Sequence, residues 1–517
     1  MINAVGRDIP EQLLRPGQQV YQGKYHSEGQ IVKKAGPATV RRVRPQESKL
    51  CESIEAACRQ CGAKDGMTFS FHTEFRDGDY VAAMVAKVLI EDMGLKDIRV
   101  AATSLGNAQN NIARYIEEGK ITQVTTSGVR GRIGEVISAG KLGTPAVIRS
   151  HGGRPRAIEA GDIHIDIAFL AASTSDNCGN ARGVGGKNNC GSLGFAIHDT
   201  HYADHVVIIT DTLVDFPNMP ASISAVDVDC VCVVDEIGDP TRIATKEARM
   251  TENPRDLMMA ENCARVIAAT PYFKDGFSFQ TGVGGPSIAV TRFLESHMKE
   301  AGVTISFTLG GTSGPICDLQ DRGLVKHILD TQDFDQRAAS HLFTHPGHHE
   351  IDLNEYANAA NKGAFANKLD YVVLAALEID VDFNINVITG SDGVLRGAPG
   401  GHPDAAAGSK CCIIVTPLTR GRMATVCKKV VTVTTPGDCV DVLVTDYGIA
   451  VNPLRPDLIA CLDKAGIPHV SIQTLQQKAY ALVGEPRDLQ WEDQVVAIVE
   501  ARDGTILDVV RKVKPYV

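Results

Sequence analysis

Residues Tyr371–Gly408, YVVLAALEIDVDFNINVITGSDGVLRGAPGGHPDAAAG, join two kinds of sequence. The first part, VVLAALEIDV, is apolar almost throughout, as a strand buried on both faces reads. The second part carries Gly390, Gly393, Gly397, Gly400, Gly401 and Gly408. Glu378 sits inside the apolar part, and Asn384 and Asn386 lie between strand and glycines. A glycine-rich backbone turns tightly and can aim several N–H groups at one point. That suits stabilisation of negative charge on a substrate oxygen. The competing reading is a plain strand followed by a flexible loop.

Outward from this stretch the chain repeats itself. Asp166–Asn180 (DIAFLAASTSDNCGN) parallels Asp370–Asn384 (DYVVLAALEIDVDFN), with Asn180 matching Asn384. Asp65–Val81 (DGMTFSFHTEFRDGDYV) parallels Asp275–Val290 (DGFSFQTGVGGPSIAV), and DVDCVCVVD at 227–235 parallels DCVDVLVTD at 438–446. The offset, roughly 200–210 residues, is too long for a solenoid and indicates two tandem domains of one fold. Strands alternate with helical segments in each half, which predicts α/β domains with mostly parallel sheets covered by helices. The expected division is an N-terminal arm at 1–50, a first domain at 51–250 and a second at 251–517, with polar GDPTRIATKEARMTENPRD near the boundary. Ligands of such sheets bind at the carboxyl ends of the strands. The glycine runs at 281–285, 309–314 and 389–393 all follow strands and are expected to face across the domain junction.

Composition narrows the function. A net charge of −10, from 52 basic and 62 acidic residues, argues against nucleic acid or an anionic membrane as partner. No apolar run has membrane-spanning length. The start, MINAVGRDIPEQLLRPGQQ, is polar, and the 14 cysteines are expected to be reduced thiols in a cytoplasm. Cys58 and Cys61 have CxxC spacing without a second pair to complete a zinc site. His345, His348, His349 and Glu350 fall in a proline-containing polar loop with no helix to fix them, so no metal is expected. GVGGPS at 282 lacks the third glycine of a dinucleotide fingerprint, and GVGGKNN at 183 lacks the Ser or Thr of a P-loop. What remains is oxyanion stabilisation beside an acidic or amide side chain, which fits acyl transfer.

At these residues the chain resembles the CoA-transferase and acetyl-CoA hydrolase superfamily and, more closely, the citrate lyase α-subunit family. The matching stretches include TTSGVRGRIGEVISAG, IRSHGGRPRAIEAGDIHIDIAFL, CGSLGFAIHDTHYAD, FKDGFSFQTGVGGPSIAVTRFL and LEIDVDFNINVITGSDGVLRGAPGGHPDAAAG. The resemblance implies two CoA-transferase-like domains and transfer between acetyl-carrier protein and citrate, giving citryl-carrier protein and acetate. It implies a β subunit that cleaves the citryl thioester and a small γ subunit, the acyl carrier, bearing a phosphopantetheine-type group. CoA or acetyl-CoA would serve as surrogate, and the chain would form a homo-oligomer.

With that resemblance, Gly282, Gly284, Gly285, Gly310, Gly311, Gly390, Ser391, Gly393, Gly400 and Gly401 become candidates for the oxyanion and pantetheine cradle. Glu378, Asn384 and Gly393 are the catalytic candidates, although Glu378 also reads as a structural carboxylate and Asn384 as a turn-holder shared with Asn180. Arg130, Arg132, Arg149, Arg154 and Arg156 are candidates for citrate, since guanidinium forks match carboxylates. Relatives carry a nucleophilic Glu in a segment like GIHSEM; here Gly302–Phe307 reads GVTISF, with Ser306 in that place. A covalent glutamyl thioester is therefore not expected. The alternatives are the acyl-transferase subunit of a malonate decarboxylase and a non-catalytic ligand-binding scaffold. The basic segment Lys33–Arg44 is expected to dock on another subunit or on a neighbouring copy of this chain.

Overall fold

The computed structural model describes residues 1–24, 26, 44–243, 251–282 and 284–514. Residues 33–43 of the basic arm lie outside these. The first half supplies β1 (Leu50–Cys51), β2 (Thr68–Phe71), β3 (Ile98–Ala102), β4 (Ile121–Thr126), β5 (Ala146–Ile148), β6 (Ile167–Ala172), β7 (His205–Thr210) and β8 (Cys230–Val233). The second half supplies β9 (Phe277–Thr281), β10 (Ile305–Thr312), β11 (Val325–Asp333), β12 (His348–Glu350), β13 (Tyr371–Leu374), β14 (Cys411–Val415), β15 (Val442–Thr445) and β16 (Gly448–Val451). A C-terminal hairpin, β17 (Trp491–Glu500) and β18 (Ile506–Val513), completes the two large sheets.

The repeat seen in sequence is a repeat of topology. One sheet runs β1-β8-β7-β6-β2-β3-β4-β5-β17-β18, and the other, read from its far edge, β16-β15-β14-β13-β9-β10-β11-β12. The seven strands β2–β8 thus recur in the same order as β9–β15. All pairs are parallel except β17–β18 and β15–β16. Central strands such as β6 and β14 are buried along their whole length, which is why they read as unbroken apolar runs. Equivalent carboxylates tie equivalent strands: Asp166 accepts from Thr68 N at 2.7 Å and Asp370 from Ser278 N at 2.9 Å.

Two expectations are corrected. The second domain does not extend to 517, because β17 joins the first sheet at β5 and covers its edge. The amino-terminal residues pack on that hairpin: Arg7 Nε pairs with Asp508 at 3.0 Å and Arg15 Nη1 with Glu500 at 2.6 Å. The apolar run VVLAALEIDV is also two elements. β13 ends at Leu374, and Glu378–Asp380 leaves the sheet to pair with Ile385–Asn386 and Val426–Cys427. The break follows from side-chain competition: Ala375 O lies 3.0 Å from His402 Nε2, and Ala376 O accepts from Thr416 and Arg420.

Candidate active site at the seam between the halves

The carboxyl ends of the two sheets face one another, and a glycine-rich loop from each half crosses to the other. From the first half, Ser192 N donates to Asp333 at 2.9 Å and Leu193 N to Glu350 at 2.5 Å, at the ends of β11 and β12. From the second, Gly397 O accepts from Val129 N at 3.1 Å and Gly400 O from His151 N at 2.9 Å, just past β4 and β5. The following helix, His402–Gly408, brings Asp404 across to accept from Ser150 Oγ and Gly152 N, each at 2.8 Å.

Several expected residues meet here. Gly282 and Gly284 lie against Leu374 and Ala375 at the head of the helix Gly285–Ala301. Gly310 lies against Gln280, whose Nε2 donates to Tyr356 Oη at 3.0 Å, and Gly401 lies against that same tyrosine. Gly400 borders His151. Gln280 Oε1 and Ser287 Oγ are buried without a hydrogen-bond partner. Gly284 and Gly285 stand at the start of the helix Gly285–Ala301, whose opening N–H groups lack intrahelical acceptors.

Other expected donors are taken by backbone carbonyls or lie away from this seam. Gly282 N is taken by Val373 O at 2.7 Å, Gly390 N by Val394 O and Gly393 N by Gly390 O. Gly393 packs on Trp491 and Val513 of the hairpin, and Ser391 Oγ lies 3.3 Å from Met423 Sδ. Gly311 lies against the Phe334 ring. Asn384 holds a loop: its amide N–H and side chain both donate to Asp380, and Asn180 does the same with Asp176. Glu378 accepts from Asn386 Nδ2 at 2.8 Å and from Val431 N at 3.1 Å, the pairing of a structural carboxylate.

The five arginines separate by environment. Arg132 pairs with Glu117 on the surface, and Arg130 stands exposed just before the helix Gly131–Ser138, without a side-chain capping bond. Arg149 Nε pairs with Glu500 at 2.6 Å, and Arg156 Nη2 with Asp162 at 2.9 Å. Arg154 pairs with Asp199, which also accepts from Ser70 and contacts His72. Burial works against the charge of Asp199, yet Arg154 and His72 hold its carboxyl well below the usual range. Arg149 and Arg154 nevertheless line a narrow crevice with Thr125, Thr126 and Ser127, where Arg154 Nε and Ser127 Oγ have no partner.

Burial dominates the electrostatics of the seam. It pushes Asp404 up to about 6, against the hydrogen bonds from Gly152 and Ser150. It raises Glu74 well above the carboxylate range, with Asp79 and Glu350 reinforcing it; neither Glu74 oxygen has a partner. It lowers His151 to about 3 and His402 to about 4, so both imidazoles are neutral at pH 7. With Ala375 O as acceptor, His402 carries its proton on Nε2 and receives Thr435 Oγ1–H at Nδ1, 2.7 Å away. His151 and His402 stand in the glycine motifs SHGG and GGHP, so a signal for them existed. Tyr356 gave none, because only the fold brings the helix Leu353–Ala357 to β9.

Position 306 needs a correction of place. Ser306 sits near the start of β10, its hydroxyl donating to Phe277 O at 3.1 Å. At the carboxyl end, where the seam lies, β10 carries Gly310 and Gly311, and residues 302–317 contain no Asp or Glu.

A family profile described as "Citrate lyase, alpha subunit (CitF)" matches residues 47–513. The citrate lyase alpha chain of Klebsiella pneumoniae is 51% identical over 91% of this chain and 92% of its own length. That of Haemophilus influenzae is 47% identical over 95% of this chain and 98% of its own. A crystal structure described as the alpha subunit of citrate lyase from Streptococcus mutans, in complex with citrate, has TM-score 0.95 at 48% identity, covering 99% of this chain and 100% of that one. The alpha subunit of malonate decarboxylase from Acinetobacter baumannii shares the fold at TM-score 0.63 and 16% identity, over 84% of this chain and 87% of that one. The fold, the paired carboxylate ties and these likenesses agree, and the chain belongs to the citrate lyase α-subunit family, the citrate CoA-transferase component of that enzyme.

Proposed function

We propose that this chain exchanges acetate for citrate on a carrier thioester by direct attack, without a covalent enzyme intermediate. The observation that carries the reading is the carboxyl end of β10, where Gly310 and Gly311 stand and the strand itself carries no Asp or Glu. A citrate carboxylate, ionised at neutral pH, attacks the acetyl carbonyl carbon. The acetyl C–S bond breaks, a C–O bond forms, and the thiolate leaves. The thiolate then attacks the citryl carbonyl of the mixed anhydride, and acetate departs with the bridging oxygen. No proton has to be removed from the nucleophile, so alignment and oxyanion stabilisation supply the catalysis.

The protein's own groups fit those tasks. Gly284 and Gly285 present N–H groups at a helix start, beside the unpartnered Ser287 Oγ. His402 fixes the Ala375 carbonyl that borders this cradle. The glycine cradle with its apolar Leu374 wall suits the thioester end of a phosphopantetheine-type arm, which supplies the exchanging thiol. The carrier would be the γ subunit, and a β subunit would cleave the citryl product.

The test is a single turnover with acetyl-CoA as surrogate and citrate labelled with heavy oxygen in its carboxylates. Citryl-CoA should form, and acetate should leave carrying one labelled oxygen. Unlabelled acetate would place an enzyme carboxylate between the substrates and end the direct route.

A further inference from the structure

We propose that Cys317, His341 and His348 bind one thiophilic divalent cation of the zinc class. Cys317 lies in the helix Gly314–Asp321, His341 in the helix Gln336–Thr344 and His348 on edge strand β12. One ligand atom from each lies within 4.8 Å of the other two, and all three residues are buried. The expectation of an unfixed polar loop at 345–350 therefore fails in part: His348 sits on a strand, and His341 adds a helix.

Hydrogen bonds orient both rings toward a common point. His341 Nε2 lies 3.2 Å from Asp321 Oδ1, and His348 Nε2 lies 3.2 Å from Asp330 Oδ2. A carboxylate accepts, so each Nε2 holds the proton and each Nδ1 is left with a lone pair. Those two Nδ1 atoms face one another at 3.0 Å. Two lone pairs so close repel unless a cation lies between them. Imidazoles that ligate metals characteristically donate their other nitrogen to a carboxylate, as both do here. Thiolate and imidazole form the usual tetrahedral zinc set, with bonds of about 2.3 Å to sulfur and about 2.0–2.1 Å to nitrogen. A water would take the fourth position.

The cation would join two helices to the last strand of the second sheet. It would also fix Asp330, which pairs in register with Gly310 at the candidate active site. The site thus holds one wall of the seam from behind, without touching substrate.

The experiment uses the full chain after chelator treatment, titrated with cobalt(II) and then zinc(II). About one equivalent of cobalt should bind with tetrahedral visible bands and a thiolate-to-cobalt charge-transfer band, and zinc should displace it. Cys317→Ser should lose the charge-transfer band, and His348→Gln should weaken binding at least about tenfold, in keeping with loss of a ligand. In the wild-type chain, X-ray absorption at the zinc edge should show one sulfur neighbour at about 2.3 Å, so the result does not depend on a variant folding. A cobalt spectrum without charge transfer, together with a zinc edge that shows no sulfur neighbour, would overturn the site. The two nitrogens would then share a proton.

Discussion

The two crossing loops do the same job by different chemistry. The first-half loop, 183–194, reaches β11 and β12 with backbone N–H groups that land on the carboxyl side chains of Asp333 and Glu350. The second-half loop, 387–401, reaches the equivalent points past β4 and β5 with backbone carbonyls that accept from Val129 and His151. Topology placed both contacts, since the strands they meet are equivalent. Of these loop contacts only the first lands on ionisable side chains, and burial lifts both Asp333 and Glu350 above the ordinary carboxylate range. A duplicated fold can therefore keep a pseudo-symmetric seam while its two clasps depend on protonation through different groups.

Closing the space that each loop needs should have the largest effect. A Cβ on Gly194 would stand 2.2 Å from Ile351 O, and one on Gly128 would stand 2.2 Å from the Ala398 Cβ, in both cases across the seam. Gly194→Ala and Gly128→Ala should each destabilise the protein by about 3 kcal/mol, as overpacking against fixed backbone does. Chemical denaturation of the two variants measures this. A large loss in one and none in the other would show that a single clasp holds the halves together.

Asp404 gives the second-half side its own titratable contact, and its effect has a definite sign. Its folded pKa is about 6 against an ordinary 3.8. The folded state therefore binds the proton more tightly, so this contribution is fully present below pH 4 and is lost as pH rises through 6. The full loss should be about 3 kcal/mol. Asp404→Asn should remove this decline in stability, most of which falls between pH 4 and pH 7. An unchanged pH profile would mean that Asp404 is as acidic in the folded protein as in the unfolded chain.

The smallest effect sharpens the symmetry. Asn180→Ala and Asn384→Ala remove the same hydrogen bonds from Asp176 and Asp380 and should cost about 1 kcal/mol each. Equal losses with unchanged turnover per folded molecule would confirm loop-holding in both halves. A collapse of kcat confined to Asn384→Ala would restore it to the chemistry.

Much of this protein is determined by local sequence. Strands buried on both faces have to be apolar along their whole length, so β6, β13 and β14 are visible as runs, and a duplication of such strands is visible as a repeated pattern. The Asp–x–x–x–Asn loops are local too, since Asp176 and Asp380 bond within four residues of themselves. Tertiary structure decided what no neighbouring residues encode. The hairpin β17–β18 adds to the first sheet because the edge at β5 offers unpaired backbone, and edge pairing carries no sequence label. Arg149 and Arg156 are internal partners of Glu500 and Asp162 because folding puts them there; their sequence motif is the same as that of a surface anion site. The glycines that looked alike in the chain split into seam, hairpin and turn for the same reason. A glycine's role is set by what approaches it, and that is known only when the two halves meet.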